Sequence, residues 1–232
     1  MRSFTSLQPL DAAYPLTGDW FDEHAIRGLH CGCGDAVRVF WLNTDLGAIA
    51  DEAGTATEPG PVYQIDEVPR WFLQHDALEP YPISDDSVNA SFSEHFIEHL
   101  EPDHAIAWLA EVRRVLRPGA VIRVVTPDLR QYVAGYADPS DGFFDELRRL
   151  AGHLLDPEAQ QRPTFMLNQV FKLWGHKWLY DFDELRHALV KAGFDEDTVE
   201  ERGFRDSQVQ DLVGMDIPWR AHGSLYVEAR KT

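Results

Sequence analysis

The sequence predicts an α/β protein whose central, mostly parallel sheet is flanked by helices, and three stretches carry that expectation. Residues 102–116 place Ala105, Leu109, Val112 and Leu116 on one helical face, with Trp108 and Val115 beside them. Pro118-Gly119 then stops the helix, and the β-branched run AVIRVVT (120–126) follows as a strand. Residues 181–192 repeat the helical pattern through Leu185, Ala188, Leu189 and Ala192, with Asp181 and Glu184 as a capping box and Gly193 as the stop. The third stretch, RGLHCGCGDAVRVFWLNTDLG (27–47), reads as a strand, a glycine-cornered loop, a short segment and a second strand ending in an acid. Strands alternating with helices imply a parallel sheet with helices on both faces and ligands at the carboxyl ends of the strands.

In chain order, residues 1–24 are broken by Pro9, Pro15 and Gly18 and form an N-terminal extension or partial lid, in which Trp20 and Phe21 cover the mouth of a site or pack outside it. Residues 25–232 form a single domain. After the glycine loop, 47–70 is rich in turn residues and acids, a loop with at most a short helix or strand. WFLQHD (71–76) is a short strand running to an acid, and VNASFS (88–93) is the next, leading straight into Glu94-His95-Phe96-Ile97-Glu98-His99-Leu100. From about 130 to 175 the periodicity weakens into a helical insertion. A helix starts near Asp128, another spans 143–155, and Pro157 and Pro163 interrupt the stretch beyond it. That length exceeds an ordinary connection and suits a lid or substrate wall. Residues 198–203 and 224–229 are closing strands.

The 232 residues carry a net charge of −18, which argues against nucleic-acid substrates and anionic membrane surfaces. The two cysteines, Cys31 and Cys33, sit together in the glycine loop, where disulfide geometry is rarely met and no second pair completes a zinc site. Buried thiols suit a reducing cytoplasm. With no apolar run near eighteen residues and no leader pattern at the start, the expectation is a cytoplasmic protein.

The glycine loop is where chemistry enters. Gly32 and Gly34 let the backbone turn sharply and bring N–H groups near a ligand, and Asp45 ends the next strand where a carboxylate can accept both hydroxyls of a ribose. Val37 stands where a dinucleotide fingerprint wants a third small residue, and Asp45 follows the loop by only about a dozen residues instead of roughly twenty. An NAD-linked oxidoreductase is therefore the weaker reading, and a nucleoside without a pyrophosphate the better one.

Six pieces in order resemble the class I S-adenosylmethionine-dependent methyltransferases: LHCGCG (29–34), NTDL (43–46), HDAL (75–78), SEHFIEHL (93–100), RVLRPGAVIRVVTPDL (114–129), and GHKWLYD with its helix into AGF (175–194). The resemblance implies a Rossmann-like fold with S-adenosyl-L-methionine as cofactor. Under it, Gly32 and Gly34 lie by the methionine part, Asp45 by the ribose, Asp76 with Ala77 or Leu78 by the adenine, and Ser93 and Glu94 near the sulfonium, with His30, Cys31, Asn43 and Leu46 completing the cofactor-binding set. Asp35, where some relatives carry another glycine, leaves the loop geometry open.

The branch resembles bacterial enzymes of polysaccharide biosynthesis, so the expected reaction is O-methylation of a saccharide hydroxyl. The alternatives are C- or N-methylation of a small ring or lipid-like metabolite, and a non-catalytic binder of the cofactor. A hydroxyl acceptor needs a base, for which His176, in the G-H-K-x-x-Y-D pattern, His95 and His153 are the candidates. Phe165, Phe171, Trp174, Trp178 and Tyr180 offer flat rings to a sugar or form the insertion's own core. Mg2+ has no clear motif; Asp128, Asp181 and Asp183 could supply oxygens, although helix capping explains the last two. A small-molecule or saccharide acceptor is the expected partner, and a homodimer through the insertion is allowed.

Overall fold

In the computed structural model, which describes residues 4–152 and 162–232, nine strands form one sheet among the described residues. The strands are β1 (Leu7–Pro9), β2 (Gly28–Cys31), β3 (Trp41–Asp45), β4 (Val62–Ile65), β5 (Trp71–Gln74), β6 (Val88–Glu94), β7 (Leu116–Pro127), β8 (Glu200–Arg202) and β9 (Ser224–Arg230). Their spatial order is β1-β4-β5-β3-β2-β6-β7-β9-β8. The five central strands, β5-β3-β2-β6-β7, are mutually parallel, and the outer strands pair antiparallel. From β2 the chain moves one way to β3 and β5, then returns to the other side for β6 and β7. The strand order thus reverses between β2 and β6, which opens a crevice at their carboxyl ends.

Side chains alternate across the strands and sort the core into two layers. Leu29, Leu42, Leu73, Ile122, Val124 and Val227 face α1 (Gly18–Glu23), α2 (Pro102–Val115) and α6 (Phe182–Lys191). On α2 the predicted face is the buried one: Ala105, Trp108, Leu109, Val112 and Val115. Pro102 opens the helix, as expected of a residue with no N–H to satisfy. On α6 the Asp181 carboxylate accepts the Glu184 N–H at 2.9 Å and so caps the helix, while Gly193 (φ +100°) ends it.

The opposite face departs from the expectation of helices on both sides. Among helices, it carries the four-residue α7 (Gln210–Val213), whose Leu212 packs with Trp41, Phe92, Val121 and Tyr226. Elsewhere loops cover it, through Cys33, Val37 and Ile49 packed on Tyr63, Ile65 and Phe72. Residues 203–217 are held there by Arg123, which is fully buried. Its guanidinium bonds Asp216 (2.7 and 2.9 Å), Glu228 (3.0 Å) and the carbonyls of Gly203 and Asp206.

Three further differences have local causes. Strand β7 begins at Leu116, directly after α2, because the chain enters the sheet before Pro118-Gly119 instead of after it. Pro163, read as an interruption, opens α5 (Pro163–Lys172), since proline suits a first helical turn. At the amino terminus, β1 adds an edge strand on β4, and Phe21 is fully buried in the main core. The segment 128–179 holds α3 (Leu129–Ala137), α4 (Phe143–Ala151) and α5 around Tyr132, Phe143, Phe144, Met166, Val170 and Leu179. Of the aromatic set expected either to face a sugar or to form that segment's core, Phe171, Trp174 and Trp178 are exposed, Phe165 is half-buried and Tyr180 belongs to the main core.

Candidate functional site

Two adjoining cavities occupy the crevice. The larger, of about 790 Å³, lies over the ends of β2, β3, β5 and β6 and is lined by residues of 30–36, 44–46, 75–78 and 94–100. The smaller, of about 340 Å³, lies between the ends of β6 and β7 and the helices of 128–179. His95, His99, Trp219 and Arg220 line both, so the two spaces share a wall.

The glycine loop forms one side of the larger cleft. Gly32 takes φ +61°, and a Cβ there would meet the Phe96 ring at 2.2 Å, so glycine is required twice over. Gly34 (φ +48°) has open space where a side chain would stand, and its N–H donates to Asp45 Oδ2 at 2.8 Å. Asp45 Oδ1 accepts the Gly47 N–H at 2.9 Å, so two backbone donors fix the carboxylate at the end of β3. At the end of β5, Asp76 Oδ1 accepts the Leu78 N–H at 3.0 Å. Leu46 and Leu78, 68% and 49% exposed, line the cleft with their apolar side chains in the open. Glu94 is buried, accepts the Ile217 N–H at 2.9 Å and lies 3.5 Å from Arg220; burial raises its carboxyl above the ordinary range.

Three residues predicted for this cleft do not line it. Cys31 and Ser93 are fully buried on the α2 face of the sheet, beside Ser91 and Tyr81. Burial pushes the Cys31 thiol up to about 11, which leaves it inert. Asn43 is buried on the opposite face. Its amide donates to the carbonyls of Arg38, Trp41 and Trp71, and its oxygen accepts the Arg38 N–H. That oxygen also takes the His30 Nδ1–H at 3.0 Å, so His30 reaches the cleft wall with burial holding it down at about 4. For Cys31 and Ser93 strand alternation turned the side chain away from the ligand side, whereas Asn43 shares the face of Asp45 but lies two residues deeper in β3. The remaining residues of the predicted cofactor set, from Gly32 to Glu94, line one space.

The shared wall is rich in titratable groups. His95, in a left-handed conformation (φ 54°), leaves β6 with its Nε2 3.0 Å from Ser224 Oγ. The Ser224 hydroxyl donates to the Arg220 carbonyl at 2.7 Å, so the ring N–H donates to Ser224. His95 Nδ1 is then the free ring nitrogen, 3.4 Å from Glu98 Oε1. Burial lowers His95 well below its usual range and raises Glu98 to about 7. His176 enters from the far segment. Its Nδ1–H donates to the Val170 carbonyl at 2.6 Å, which leaves the Nε2 lone pair free, and burial lowers its pKa. The His99 and His176 rings stand perpendicular, 4.9 Å between centroids. Backbone bonds from Lys177 N–H (2.7 Å) and Trp178 N–H (3.2 Å) to the Glu98 carbonyl tie the two segments together.

His176 and His95 therefore share the smaller cavity, while His153 lies outside the described residues. Sequence reasoning missed Glu98, His99, Tyr132, Trp219, Arg220 and His222 as site residues; all but Glu98 line the smaller cavity. The acids named for magnesium are already engaged. Asp128 caps α3 and accepts from Gln131, Asp181 caps α6, and Arg130 pairs with both Asp181 and Asp183.

Comparison with known proteins gives one family match: the family described as "Methyltransferase domain" aligns with residues 29–124. No curated protein matches. Among solved structures, a SAM-dependent methyltransferase from Archaeoglobus fulgidus is 14% identical, with 89% of this chain and 86% of that one covered and a TM-score of 0.46. A possible histamine N-methyltransferase from Thermotoga maritima is 15% identical, with coverage of 89% and 82% and a TM-score of 0.45. Human N-acetylserotonin methyltransferase in complex with SAM is 15% identical, with 69% of this chain and 33% of that longer one covered and a TM-score of 0.39. No helix among the described residues is long and apolar enough to cross a membrane.

Proposed function

We propose that the chain is an S-adenosylmethionine-dependent methyltransferase that methylates a hydroxyl group, most simply that of a saccharide, a reading supported by the match of residues 29–124 to the methyltransferase domain family. The observation that carries this reading is the second cavity: it adjoins the cofactor cleft through a wall of histidines and presents ring surfaces to an acceptor.

The cleft fits the cofactor. Gly34 leaves a cradle that a Cβ would fill, the Asp45 carboxylate is fixed by two N–H groups with lone pairs left for the ribose hydroxyls, and Asp76, held by the Leu78 N–H, would meet the adenine edge. Leu46 and Leu78 supply apolar surface for the flat base. Glu94 brings a carboxylate to the cleft wall, where it would face the cationic centre. S-adenosylmethionine supplies a methyl group on a sulfonium, which is already a good leaving group. The protein's share is mainly alignment, and an effective concentration gained by holding both partners accounts for about 7–11 kcal/mol of barrier in favourable cases.

A hydroxyl acceptor must also lose its proton. His176 takes it at Nε2, the nitrogen its bond to Val170 leaves free, and its lowered pKa keeps that lone pair available at neutral pH. His95 is the second proton acceptor in the same wall, and His153, the third candidate, lies outside the described residues. Tyr132, Trp174 and Trp219 give flat surfaces against which a sugar ring can lie, and a cavity of about 340 Å³ is small-molecule sized. Residues 25–232 make one methyltransferase domain in this reading, with Tyr132, Leu147, Val170 and Trp174 of the helical insertion at about 130–175 supplying the acceptor wall. The unpaired, buried Cys31 and Cys33 support a cytoplasmic setting.

The test is to incubate the protein with S-adenosylmethionine and a panel of saccharides, simple alcohols, amines and carbon acids, and to read products by mass and position. O-methyl sugars support the proposal. N- or C-methyl products alone would replace it with the alternative reading, and cofactor binding without any product would point to a non-catalytic binder.

A further inference from the structure

We propose that Glu98, His99 and His176 form a binding site for one divalent first-row transition-metal ion, facing the acceptor cavity. The three side chains each offer a ligand atom, and these atoms lie within 4.8 Å of one another. Two imidazoles and one carboxylate on one side of an ion leave its remaining positions open, the arrangement that suits Mn2+, Fe2+, Co2+, Ni2+ or Zn2+ better than the all-oxygen preference of Mg2+.

Three independent features of the cluster support this assignment. Glu98 is fully buried, and its Oε1 has no hydrogen-bond partner; its nearest basic atom is His95 Nδ1, at 3.4 Å. A buried carboxylate oxygen left without a bond is costly, and a cation would satisfy it. The other oxygen, Oε2, accepts the Thr126 hydroxyl at 3.0 Å, which fixes the carboxylate's orientation. His176 is oriented in the way metal-ligating histidines usually are: its Nδ1–H donates to the Val170 carbonyl. Holding one ring nitrogen on a carbonyl leaves the other for an ion.

The backbone at the cluster is also constrained. Trp174 holds φ 59°, a left-handed conformation unfavourable for a bulky residue, directly before Gly175 (φ 81°) and His176. His95 is left-handed as well, three residues before Glu98. The neighbouring cation, Arg220, is engaged by Glu94, so it does not occupy the Glu98 carboxylate.

Such an ion deepens the proposed reaction at the same wall. An acceptor oxygen entering the smaller cavity could complete its coordination, and a Lewis acid there makes the hydroxyl more acidic, its proton leaving to water. This role rests on the hydroxyl reading above; with the ion bound, Nε2 of His176 is its ligand, and the base role given to that nitrogen applies to the metal-free protein.

The experiment is calorimetric titration of the chelator-treated full-length protein with Mn2+, Co2+, Zn2+ and Mg2+, with the visible absorption of bound Co2+ as a second readout. It contains neither cofactor nor acceptor, so its outcome is separate from that of the hydroxyl proposal. The expected result is one tightly bound Mn2+, Co2+ or Zn2+ per chain, weakened by more than ~100-fold in both Glu98→Gln and His176→Ala. An exposed-histidine control, His187→Ala, should bind as the native chain does. Thermal unfolding followed by circular dichroism verifies that each variant is folded, and His99→Ala replaces any that is not. Absence of saturable binding by all of these ions overturns the proposal. So does affinity within about threefold of the native value in the folded ligand variants.

Discussion

Replacing Asp45 with alanine should weaken cofactor binding by about 100-fold or more. The Asp45 carboxylate already accepts N–H groups from Gly34 at 2.8 Å and Gly47 at 2.9 Å, one on each oxygen. Each oxygen therefore keeps a lone pair for a ribose hydroxyl. A hydrogen bond to a charged group contributes about 1.5–3 kcal/mol, so losing two removes about 3–6 kcal/mol. The rim position, where water competes, favours the lower end, and about 2.7 kcal/mol is already 100-fold. Asp45→Asn should fall between, because its amide nitrogen faces one of two backbone donors and gives up that bond. The assay is calorimetric binding of S-adenosylhomocysteine, with thermal unfolding as a control on the fold. If Asp45→Ala binds within about threefold of the native protein while melting at the same temperature, the assignment of the ribose site is wrong.

Other outcomes rest on the same geometry. His176→Ala should lower the methyl-transfer rate by about 10²- to 10⁴-fold in steady-state assays, while calorimetry finds S-adenosylhomocysteine binding unchanged. Arg123→Met leaves Asp216 and Glu228 buried without their cation, and denaturant unfolding should record a loss of about 3–5 kcal/mol. His30 has a folded pKa near 4 against 6.5 when unfolded, so the unfolded chain binds the extra proton between those values. Stability should therefore fall as pH drops from about 6.5 to 4, by about 3 kcal/mol for this group, and level off below. His30→Gln should flatten that part of the pH profile in chemical denaturation. Leu109→Ala, in the fully buried face of α2, should cost about 2–5 kcal/mol in the same measurement.

The parts of the fold legible in the chain are those that depend on local chemistry. The α2 face, the Asp181 cap and the acid at the end of β3 each rest on spacing within one element, and spacing is visible in sequence. The orientation of β2, β3 and β6 was not. Strands buried on both faces read as continuous apolar runs, and nothing in Cys31, Asn43 or Ser93 says which face each will take. Helix α5 was hidden because Pro163 reads equally as a breaker or as a first residue. The Glu98–His99–His176 cluster joins segments far apart in the chain through backbone bonds to the Glu98 carbonyl, which no local pattern encodes. The E-H and G-H-K pieces were its only local trace. Trp219 and Arg220 left none; they reach the wall through the loop that Arg123 anchors.

The helix-free passage from Gly32 to Phe40 has a bearing on which nucleotides the crevice admits. A helix starting at the glycine loop would aim about half a unit of positive charge at its ligand, the usual anchor for a pyrophosphate. Here the loop turns back to the sheet instead, and Asp35 and Asp45 border the same space. The local field therefore disfavours phosphate esters and favours a nucleoside bearing positive charge. Once that charge is given up with the methyl group, the electrostatic part of the attraction goes with it. On the proposed assignment, the acids that would hold the fresh cofactor would also ease departure of the spent one, so the valence of the ligand, as well as its shape, would govern exchange.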